Sequence, residues 1–338
     1  VRDAAVWVNG DDPAWTSLDF RPGVGRDVPL LRRGSVTSPG ELVPRRFLTV
    51  LSNGPPQPFR QGSGRLELAN AIVSDAAPLA ARVIVNRVWG WHFGRGLVTT
   101  TSNFGQLGDR PSHPELLDDL AARFVESGWS LKCLHREIVL SAAYRQTSML
   151  DPDGSAQAAE LQRRDPANEF RWRMPRRRME AECWRDTMLA VSGRLDRTMW
   201  GPSADLDQAS NRRRTVYGTV SRQKPADVLR LFDFPDAKRH SDQRIPTMTP
   251  LQELYVLNSR FVRDQAAALA SDAVAASPDD PRSIVQTLFE RILQRHPTPA
   301  EIESALQVVV SPEGDIQPAQ WTTLAHGLLA TSEFLFVD

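Results

Sequence analysis

The sequence predicts a mainly α-helical protein built of two helical lobes, with a short β or extended N-terminal arm and one small hairpin. Helix start signals (a capping residue or Pro) and stop signals (Gly) recur along most of the chain. Between these signals, apolar residues return at spacings of three and four, which is typical of amphipathic helices. A polar segment with Pro and Gly near the middle of the chain separates the two helical regions.

Composition sets broad limits on the protein class. The chain has 338 residues, of which 41% are hydrophobic and 24% charged. These values are ordinary for a globular protein with a real core, and at about 150 residues per domain the length predicts two domains. Lys plus Arg and Asp plus Glu number 41 each, so the formal net charge is zero. That balance argues against a nucleic-acid-binding protein, which normally carries a basic excess.

Residues 1–52 are expected to form the arm. Val6 to Val8 read as the end of a strand, and no initiator Met precedes them, so we expect the chain to start inside a larger protein. Asp27 to Arg33 predict a second short strand. The stretch Asn53 to Pro58 cannot be helical, because Pro lacks an amide donor and restricts the residue before it. No apolar run is long enough to cross a membrane.

The first helical lobe is expected over residues 53–150. Ser112 and Glu115 have the spacing of a capping box, in which each side chain accepts from the other's backbone amide, and this predicts a helix start. Gly94 and Gly128 supply stop signals. The predicted helices are Arg65–Val73, Pro78–Phe93, Pro114–Ser127 and Ser130–Tyr144.

Residues 151–170 are polar and are predicted to link the lobes, and residues 171–338 to form the second helical lobe. Thr249 and Thr298 each precede Pro and have Gln or Glu three residues later, which predicts two capped helix starts. The run from Arg212 to Val220 is rich in β-formers and predicts a strand. The predicted helices are Pro175–Val191, Thr249–Val274, one starting at Thr298, and Pro318–Ala330.

The segment from Leu79 to Phe93 is apolar almost all round, which predicts a buried helix. Arg82 and Asn86 lie on one stripe of it, and buried polar groups of this kind must be paired. We interpret them, together with Glu180 and Asp186, as a structural polar network. The alternative is that Arg82 and Asn86 form the floor of a ligand pocket.

Candidate catalytic residues fall in two places. His92 and His113 flank a Gly-rich loop, residues 94–111, whose small polar residues suit either a ligand site or simple turns. The spacing of the His and Glu residues matches no metal signature, so no metal site is expected. Asp233 and Asp236 suit acid–base chemistry or Ca²⁺ binding, although pairing with Arg is the commoner role. The candidates are Arg87, His92, Asn103, His113, Glu115, Asp233 and Asp236.

Five Arg residues lie between Arg171 and Arg178. Arg176, Arg177 and Arg178 are predicted to fall in the first turn of a helix, where the helix dipole disfavours cations. We therefore expect a carboxylate or an anionic partner close to them. A salt-bridged docking helix is the favoured interpretation, and nucleic-acid binding is the weaker alternative.

Cys133 and Cys183 are the two cysteines of the chain, so there is no disulfide framework. Both lie in helical, partly apolar segments, and we predict two buried free thiols, with a single disulfide as the alternative. No phosphate-binding loop, zinc-protease, serine-hydrolase or haem-attachment motif occurs. No cofactor is therefore expected in this chain.

Several ordered strings resemble one family. They are Ser63–Ala69, Ala81–Trp89, Phe93–Thr99, Pro111–Asp118, Trp172–Glu180 and Leu231–Asp236. Together they resemble the C-terminal module of the planctomycete PSD-type family associated with cytochrome c, a domain of unknown function numbered fifteen fifty-three. The resemblance runs from about Val28 to the end of the chain. It brings no established activity.

The resemblance implies a setting. Such modules usually follow a haem-bearing cytochrome c domain and a second uncharacterised domain, which implies an exported protein of the periplasm or cell envelope. Haem c is expected only on that upstream domain, which this chain lacks. The first hypothesis is therefore an interaction module that positions the upstream domains. The second is an enzyme or binding domain for an exported polysaccharide, and the sequence does not decide whether the chain is catalytic.

Overall fold

The computed structural model describes residues 4–7, 19–22, 27–148, 156–310 and 318–337. Helices dominate these residues, which confirms the predicted mainly α fold class. The chain divides into two compact units, Val1–Arg145 (unit 1) and Gln146–Asp338 (unit 2). Helix α5 of unit 2 (Ala156–Arg164) lies in the range that the sequence predicts as a linker.

Two small antiparallel hairpins form the N-terminal part of unit 1. β1 (Ala4–Trp7) pairs with β2 (Asp19–Pro22), and β3 (Val28–Leu31) pairs with β4 (Pro39–Val43). Both predicted strands are found here, except that Val8 lies outside the described residues. Arg45 joins this region through its Nε, which donates to the carboxylate of Asp27 at 2.9 Å.

Four helices complete unit 1: α1 (Arg65–Val73), α2 (Ala77–Phe93), α3 (Pro114–Glu126) and α4 (Leu131–Leu140). The core lies where α2 meets α3 and α4, and it buries Val85, Val88, Leu117, Leu120, Leu134 and Ile138. Burial of these aliphatic side chains is the main stabilising term.

Three predictions about the helices of unit 1 are wrong. Ser112 does not cap α3; the cap position is His113, and the Ser112 hydroxyl contacts His113 Nδ1 at 2.9 Å instead. α4 ends at Leu140 rather than Tyr144, because the next residue, Ser141, is extended. α2 is not buried all round, since Leu79 and Trp91 near its two ends are exposed.

Unit 2 is built around the packing of α9 (Arg260–Ala276) against α10 (Pro281–Leu293) and α12 (Pro318–Leu329). Val262, Leu269, Val285, Leu288 and Ala325 are fully buried at these contacts. The other helices of this unit are α6 (Ala181–Val191), α7 (Asp227–Leu231), α8 (Pro250–Asn258), α11 (Pro299–Val309) and α13 (Ser332–Leu335).

Both Thr-based capping boxes are confirmed: Thr249 with Gln252 opens α8, and Thr298 with Glu301 opens α11. The predicted helix from Thr249 to Val274 is two helices, because Ser259 has an extended backbone. The predicted strand over Arg212 to Val220 is wrong, since Thr215–Tyr217 form a 3-10 turn with isolated bridges at Arg213 and Gly218.

The helix predicted from Pro175 begins only at Ala181. The residues before it form β5 (Arg177–Arg178), which pairs antiparallel with β6 (Phe336–Val337) at the end of the described chain. The extended backbone of Glu180 then leads into α6. The first-turn position predicted for Arg176 to Arg178 is therefore wrong. The sequence carries no local signal of this pairing, because the two strands lie far apart in the chain.

Cys133 and Cys183 are both free and both exposed, so their predicted burial is wrong. Both side chains are exposed, although the flanking residues Leu134 and Trp184 are buried. Among the described residues, no single helix has the length and hydropathy of a membrane span. α1 and α2 meet both criteria only as a pair bent by 76°.

An Arg-centred ion-pair network ties the segment after α10 to α11 and α13. Arg295 donates to Glu301 at 2.6 Å and to Glu333 at 2.5 Å. The hydrogen bonds from Arg295, and then the backbone amide of Thr298, lower the pKa of Glu301 from 4.5 to about 2. A carboxylate whose pKa is lower in the folded state stabilises the fold above its unfolded pKa, and this stability is lost as the pH falls through the folded pKa.

We expect Glu301→Gln to lower the free energy of unfolding at pH 7 by about 1 kcal/mol, a small effect because the pair is partly exposed. The difference between wild type and variant should shrink between pH 4.5 and about pH 2. Urea titrations at pH 7, 4 and 2.5 measure it, with Glu169→Gln as the control, because Glu169 is an exposed carboxyl group of unit 2. A difference independent of pH would contradict this assignment.

Candidate functional site

The candidate residues of unit 1 lie on the second half of α2, in the loop that follows it and around the start of α3. Asn103 accepts from Gly105 N at 3.1 Å with its side chain and from the Thr100 hydroxyl with its carbonyl. Asp109 binds the Thr99 hydroxyl. These contacts fold the loop on itself, which is the turn-forming role of such residues.

The two histidines of the candidate set have separate partners. His92 Nε2 lies 2.7 Å from Nδ1 of His135 on α4, and its ring packs edge-on against Tyr144. His113 contacts Ser112. Glu115 is exposed in the first turn of α3, and Arg87 is half-buried on α2. Within the described part of the chain, no three His, Cys, Asp or Glu side chains are grouped to hold a metal ion.

Arg82 and Asn86 link α2 to its neighbours. Arg82 Nε donates to Asp118 of α3 at 2.6 Å. Asn86 is fully buried, donates to Val98 O at 3.0 Å and accepts from Val98 N at 2.8 Å. Its amide thus pairs with the backbone of the following loop as a neighbouring strand would.

In unit 2, a cleft of about 690 Å³ runs along α6 (the α6 cleft). Its lining includes three acidic residues, Glu180, Glu182 and Asp186, and several apolar ones, Leu195, Val216, Val220, Leu229 and Phe234. This arrangement places several hydrogen-bond acceptors beside a hydrophobic wall, as ligand sites commonly do.

The local structure of α6 brings the three carboxyl groups together. Glu180 precedes the helix and Glu182 lies in its first turn. Asp186 follows Glu182 by four residues and therefore lies on the same face. Glu182 accepts two hydrogen bonds from Arg244, at 2.6 and 2.7 Å, and Arg244 also lies 3.3 Å from Glu180. Arg244 in turn stacks over the ring of Phe234 at 5.1 Å.

These contacts shift the pKa values of ionisable groups that line the cleft. Desolvation raises the pKa of Glu182, but the hydrogen bonds from Arg244 oppose it, and the net pKa is lowered. Asp186 accepts from the Thr215 amide at 2.7 Å and from its hydroxyl at 2.6 Å. Desolvation and the nearby carboxylates raise the pKa of Cys183, so its thiol is protonated at neutral pH and is a poor nucleophile.

Asp233 and Arg178 lie close together in a second part of unit 2. Asp233 accepts from Thr247 N at 2.9 Å and from Thr247 Oγ1 at 2.6 Å. Arg178 lies 3.7 Å from Asp233 and donates to Gln252 Oε1 at 3.1 Å and to the Thr247 carbonyl. Asp233 has a φ of 63°, a left-handed conformation that Asp tolerates better than most residues.

The other predicted residues of this region have different surroundings. Asp236 is exposed and accepts from Lys238 N at 2.9 Å, so it forms a turn apart from the Asp233 contacts. Arg176 lies over the ring of Phe336 at 5.1 Å. Arg177 belongs to β5. A carboxylate therefore lies near Arg178, as expected of this cluster, although the cluster is a strand and not a helix turn.

Sequence reasoning missed the α6 cleft. The four-residue spacing of Glu182 and Asp186 on a predicted helix was an available signal, but it indicates only that the two share a face. The partner of Glu182 is Arg244, which is 62 residues away. That pairing has no local pattern, so the cleft is visible only in three dimensions.

Comparisons with known proteins give one match. A family model described as "Protein of unknown function (DUF1553)" matches residues 64–309. No curated protein matches, and no solved structure matches. The matched range contains α1 to α11, the α6 cleft and the contacts of Asp233 with Arg178. Because the match covers well over half of the chain, this protein belongs to the PSD1 family of proteins of unknown function.

Proposed function

We propose that this chain is a binding module and that the α6 cleft holds a segment of a protein partner by a Lys or Arg side chain. The observation that carries the proposal is a cleft lined by three acidic residues together with several apolar ones. The methylene stem of Lys or Arg packs on apolar surface while its charged head binds carboxylates. The cleft offers both surfaces side by side.

The charges around the cleft favour a cation. Arg244 holds Glu182, and the buried Arg185 lies 3.7 Å from Asp186, so Glu180 is the carboxylate of the cleft whose charge is least compensated. The side chain of Glu180 is 54% exposed and makes only a long contact with Arg244. Asp186 accepts both of its hydrogen bonds from Thr215 through Oδ1, which leaves Oδ2 for a ligand. A cationic group between Glu180 and Asp186 would pair with the exposed carboxylate of Glu180 and contact Asp186 Oδ2.

The family resemblance suggests where the partner comes from. We infer that the partner is an upstream domain of the same exported protein, in the periplasm or cell envelope, and that the module positions a cytochrome c-type domain carrying haem. This chain's contribution would be docking and orientation, with no haem ligand of its own. The interaction is expected to weaken with salt, because it rests on a partly exposed charge pair.

A polysaccharide is the second candidate, since the carboxyl oxygens of the cleft are also acceptors for sugar hydroxyl groups. Hydrolysis is the less favoured version. A glycosidase needs two carboxyl groups free to act as acid and as base or nucleophile. Here Glu182 is held by Arg244, and Asp186 is held by Thr215 and lies 3.7 Å from Arg185, so neither is free to act as the acid or the base. The polysaccharide alternative is therefore binding without cleavage.

Three fluorescein-labelled pentapeptides test the proposal: Gly-Leu-Lys-Val-Gly, the same peptide with acetylated Lys, and the same peptide with Glu at the centre. Fluorescence polarisation with the full chain should rank the Lys peptide first. We expect Glu180→Gln to weaken its binding by about fivefold, which corresponds to roughly 1 kcal/mol for one partly exposed charge pair.

Glu126→Gln is the matched control, because Glu126 is an exposed carboxyl group at the end of α3 in unit 1. Its variant should bind the Lys peptide like wild type. Equal binding of the Lys and acetyl-Lys peptides would overturn the proposal. Binding of cellohexaose that is lost in Glu180→Gln, without peptide binding, would favour the polysaccharide alternative instead.

A further inference from the structure

A second cavity of unit 2 contains an incompletely bonded arginine. The cavity has a volume of about 230 Å³ and lies beside the start of α8 and the end of α12. Most of its walls are apolar, including Met248, Val256, Leu257 and Leu335, and Arg178 supplies the cation. It shares no lining residue with the α6 cleft, so a ligand site here is independent of the proposed function.

Arg178 uses only part of its hydrogen-bonding capacity. Its side chain is 7% exposed, so water reaches little of it. Nη1 donates to the Thr247 carbonyl and to Gln252 Oε1. Nε is buried and finds no acceptor, whereas buried polar groups are normally satisfied. Nη2 is not fully buried and makes no hydrogen bond to the described residues, so three of the five N–H groups of the guanidinium are unused.

The nearby carboxylate does not take up these donors. Asp233 lies 3.7 Å from Nη1, which is too long for a hydrogen bond, and its two oxygens accept from the amide and hydroxyl of Thr247. Desolvation lowers the pKa of Arg178, and Asp233 offsets this only in part. The buried cation therefore lacks a directly bonded anion within the part of the chain that the structure describes.

We propose that this cavity binds a small organic carboxylate with an apolar tail. The carboxylate would accept from Arg178 Nη2 in a charge-assisted hydrogen bond, which is stronger than a neutral one. The tail would lie between Val256, Leu257 and Leu335. The volume is below the ~300–1,000 Å³ of pockets for drug-sized ligands, so it suits a short aliphatic carboxylate. The same chemistry occurs at the C-terminus of a peptide that ends in an apolar residue.

Glu253 places an opposing charge at the same cavity. It lines the cavity, is exposed, and lies in the first turn of α8. Its negative charge repels a carboxylate ligand, whereas the positive charge of Arg178 attracts it. Removal of the two charges should therefore change affinity in opposite directions, which a merely apolar cavity would not show.

Ligand-observed NMR titrations of the full chain with sodium hexanoate test the site, with hexanamide as the neutral isostere. Hexanoate should bind at least tenfold more tightly than hexanamide. Arg178→Met should abolish the preference for the acid, and Glu253→Gln should tighten hexanoate binding two- to fivefold. Ala330→Phe, at an exposed position on the cavity wall, should block both ligands without disturbing the core.

Two peptides that end in Leu, one with a free C-terminal carboxylate and one amidated, distinguish the source of the ligand. Tighter binding of the free peptide than of hexanoate would identify a C-terminus, and the reverse order would identify a free small molecule. Either result supports the site. Equal affinity for hexanoate and hexanamide, or hexanoate binding unchanged in Ala330→Phe, would overturn it. The Ala330→Phe result keeps the test decisive if Arg178→Met fails to fold.

Discussion

Replacement of Arg185 by Met should be among the most destabilising single changes in unit 2. The Arg185 side chain is 2% exposed and donates to Arg213 O, Thr215 Oγ1 and Asn211 O at 2.5 to 3.1 Å. Met fills a similar volume but leaves those acceptors buried without donors. Loss of one partner from a buried charged network costs about 3–5 kcal/mol. We expect the free energy of unfolding of unit 2 to fall by that amount.

Urea unfolding followed by tryptophan fluorescence measures this change. Trp184 is the neighbouring residue, is fully buried and stacks on Phe232 at 4.7 Å, so it reports on this part of unit 2. The matched control is Arg260→Met on α9, because Arg260 is 86% exposed. Exposed substitutions usually change stability by less than about 0.5 kcal/mol. A loss below about 1 kcal/mol in Arg185→Met would contradict the structural role of the network.

The substitution Asn86→Ala should have the largest effect in unit 1. Asn86 is fully buried, and both of its hydrogen bonds go to the backbone of Val98. Ala would leave one amide and one carbonyl buried and unpaired, at about 1–3 kcal/mol for each group. We expect a loss of about 2–6 kcal/mol and early exposure of the loop between α2 and α3.

Amide hydrogen exchange at Val98 and urea unfolding together measure the effect. Asn70→Ala, at an exposed position on α1, is the control and should leave both unchanged. Wild-type protection of the Val98 amide in Asn86→Ala would show that another acceptor replaces Asn86. Gly96 belongs to the same arrangement, because a Cβ there would lie 2.7 Å from Asn86 Nδ2 and 2.8 Å from Val98 O. The close approach of loop and helix therefore requires Gly at this position.

The helices that sequence reasoning located well are those with strong local signals. α1 has the predicted bounds, and α2 and α3 differ by a single residue at one end. Thr249 and Thr298 cap their helices as predicted, because a capping box involves residues only three positions apart. The break at Ser259 was missed, since both flanking helices are apolar enough to predict one continuous helix.

For the candidate sites too, sequence reasoning found what depends on local signals and missed what depends on distant residues. Residue types and spacing indicated that Arg178 needs a carboxylate nearby and that Asn86 needs a partner. They did not indicate that Asp233 is the carboxylate, or that the partner of Asn86 is the backbone of Val98. The exposure of Cys133 and Cys183 was also mispredicted, because helical spacing alone does not say which side of a helix is covered.

The sequence by itself determined the mainly α class, most helix positions and the family, since these depend on local backbone preferences and on ordered strings of residues. The tertiary structure alone decided the pairing of β5 with β6, the contact of Glu182 with Arg244, and the two cavities of unit 2. The physical reason is that these features join residues far apart in the chain. Their energies arise from burial and charge pairing, which appear only once the helices have packed.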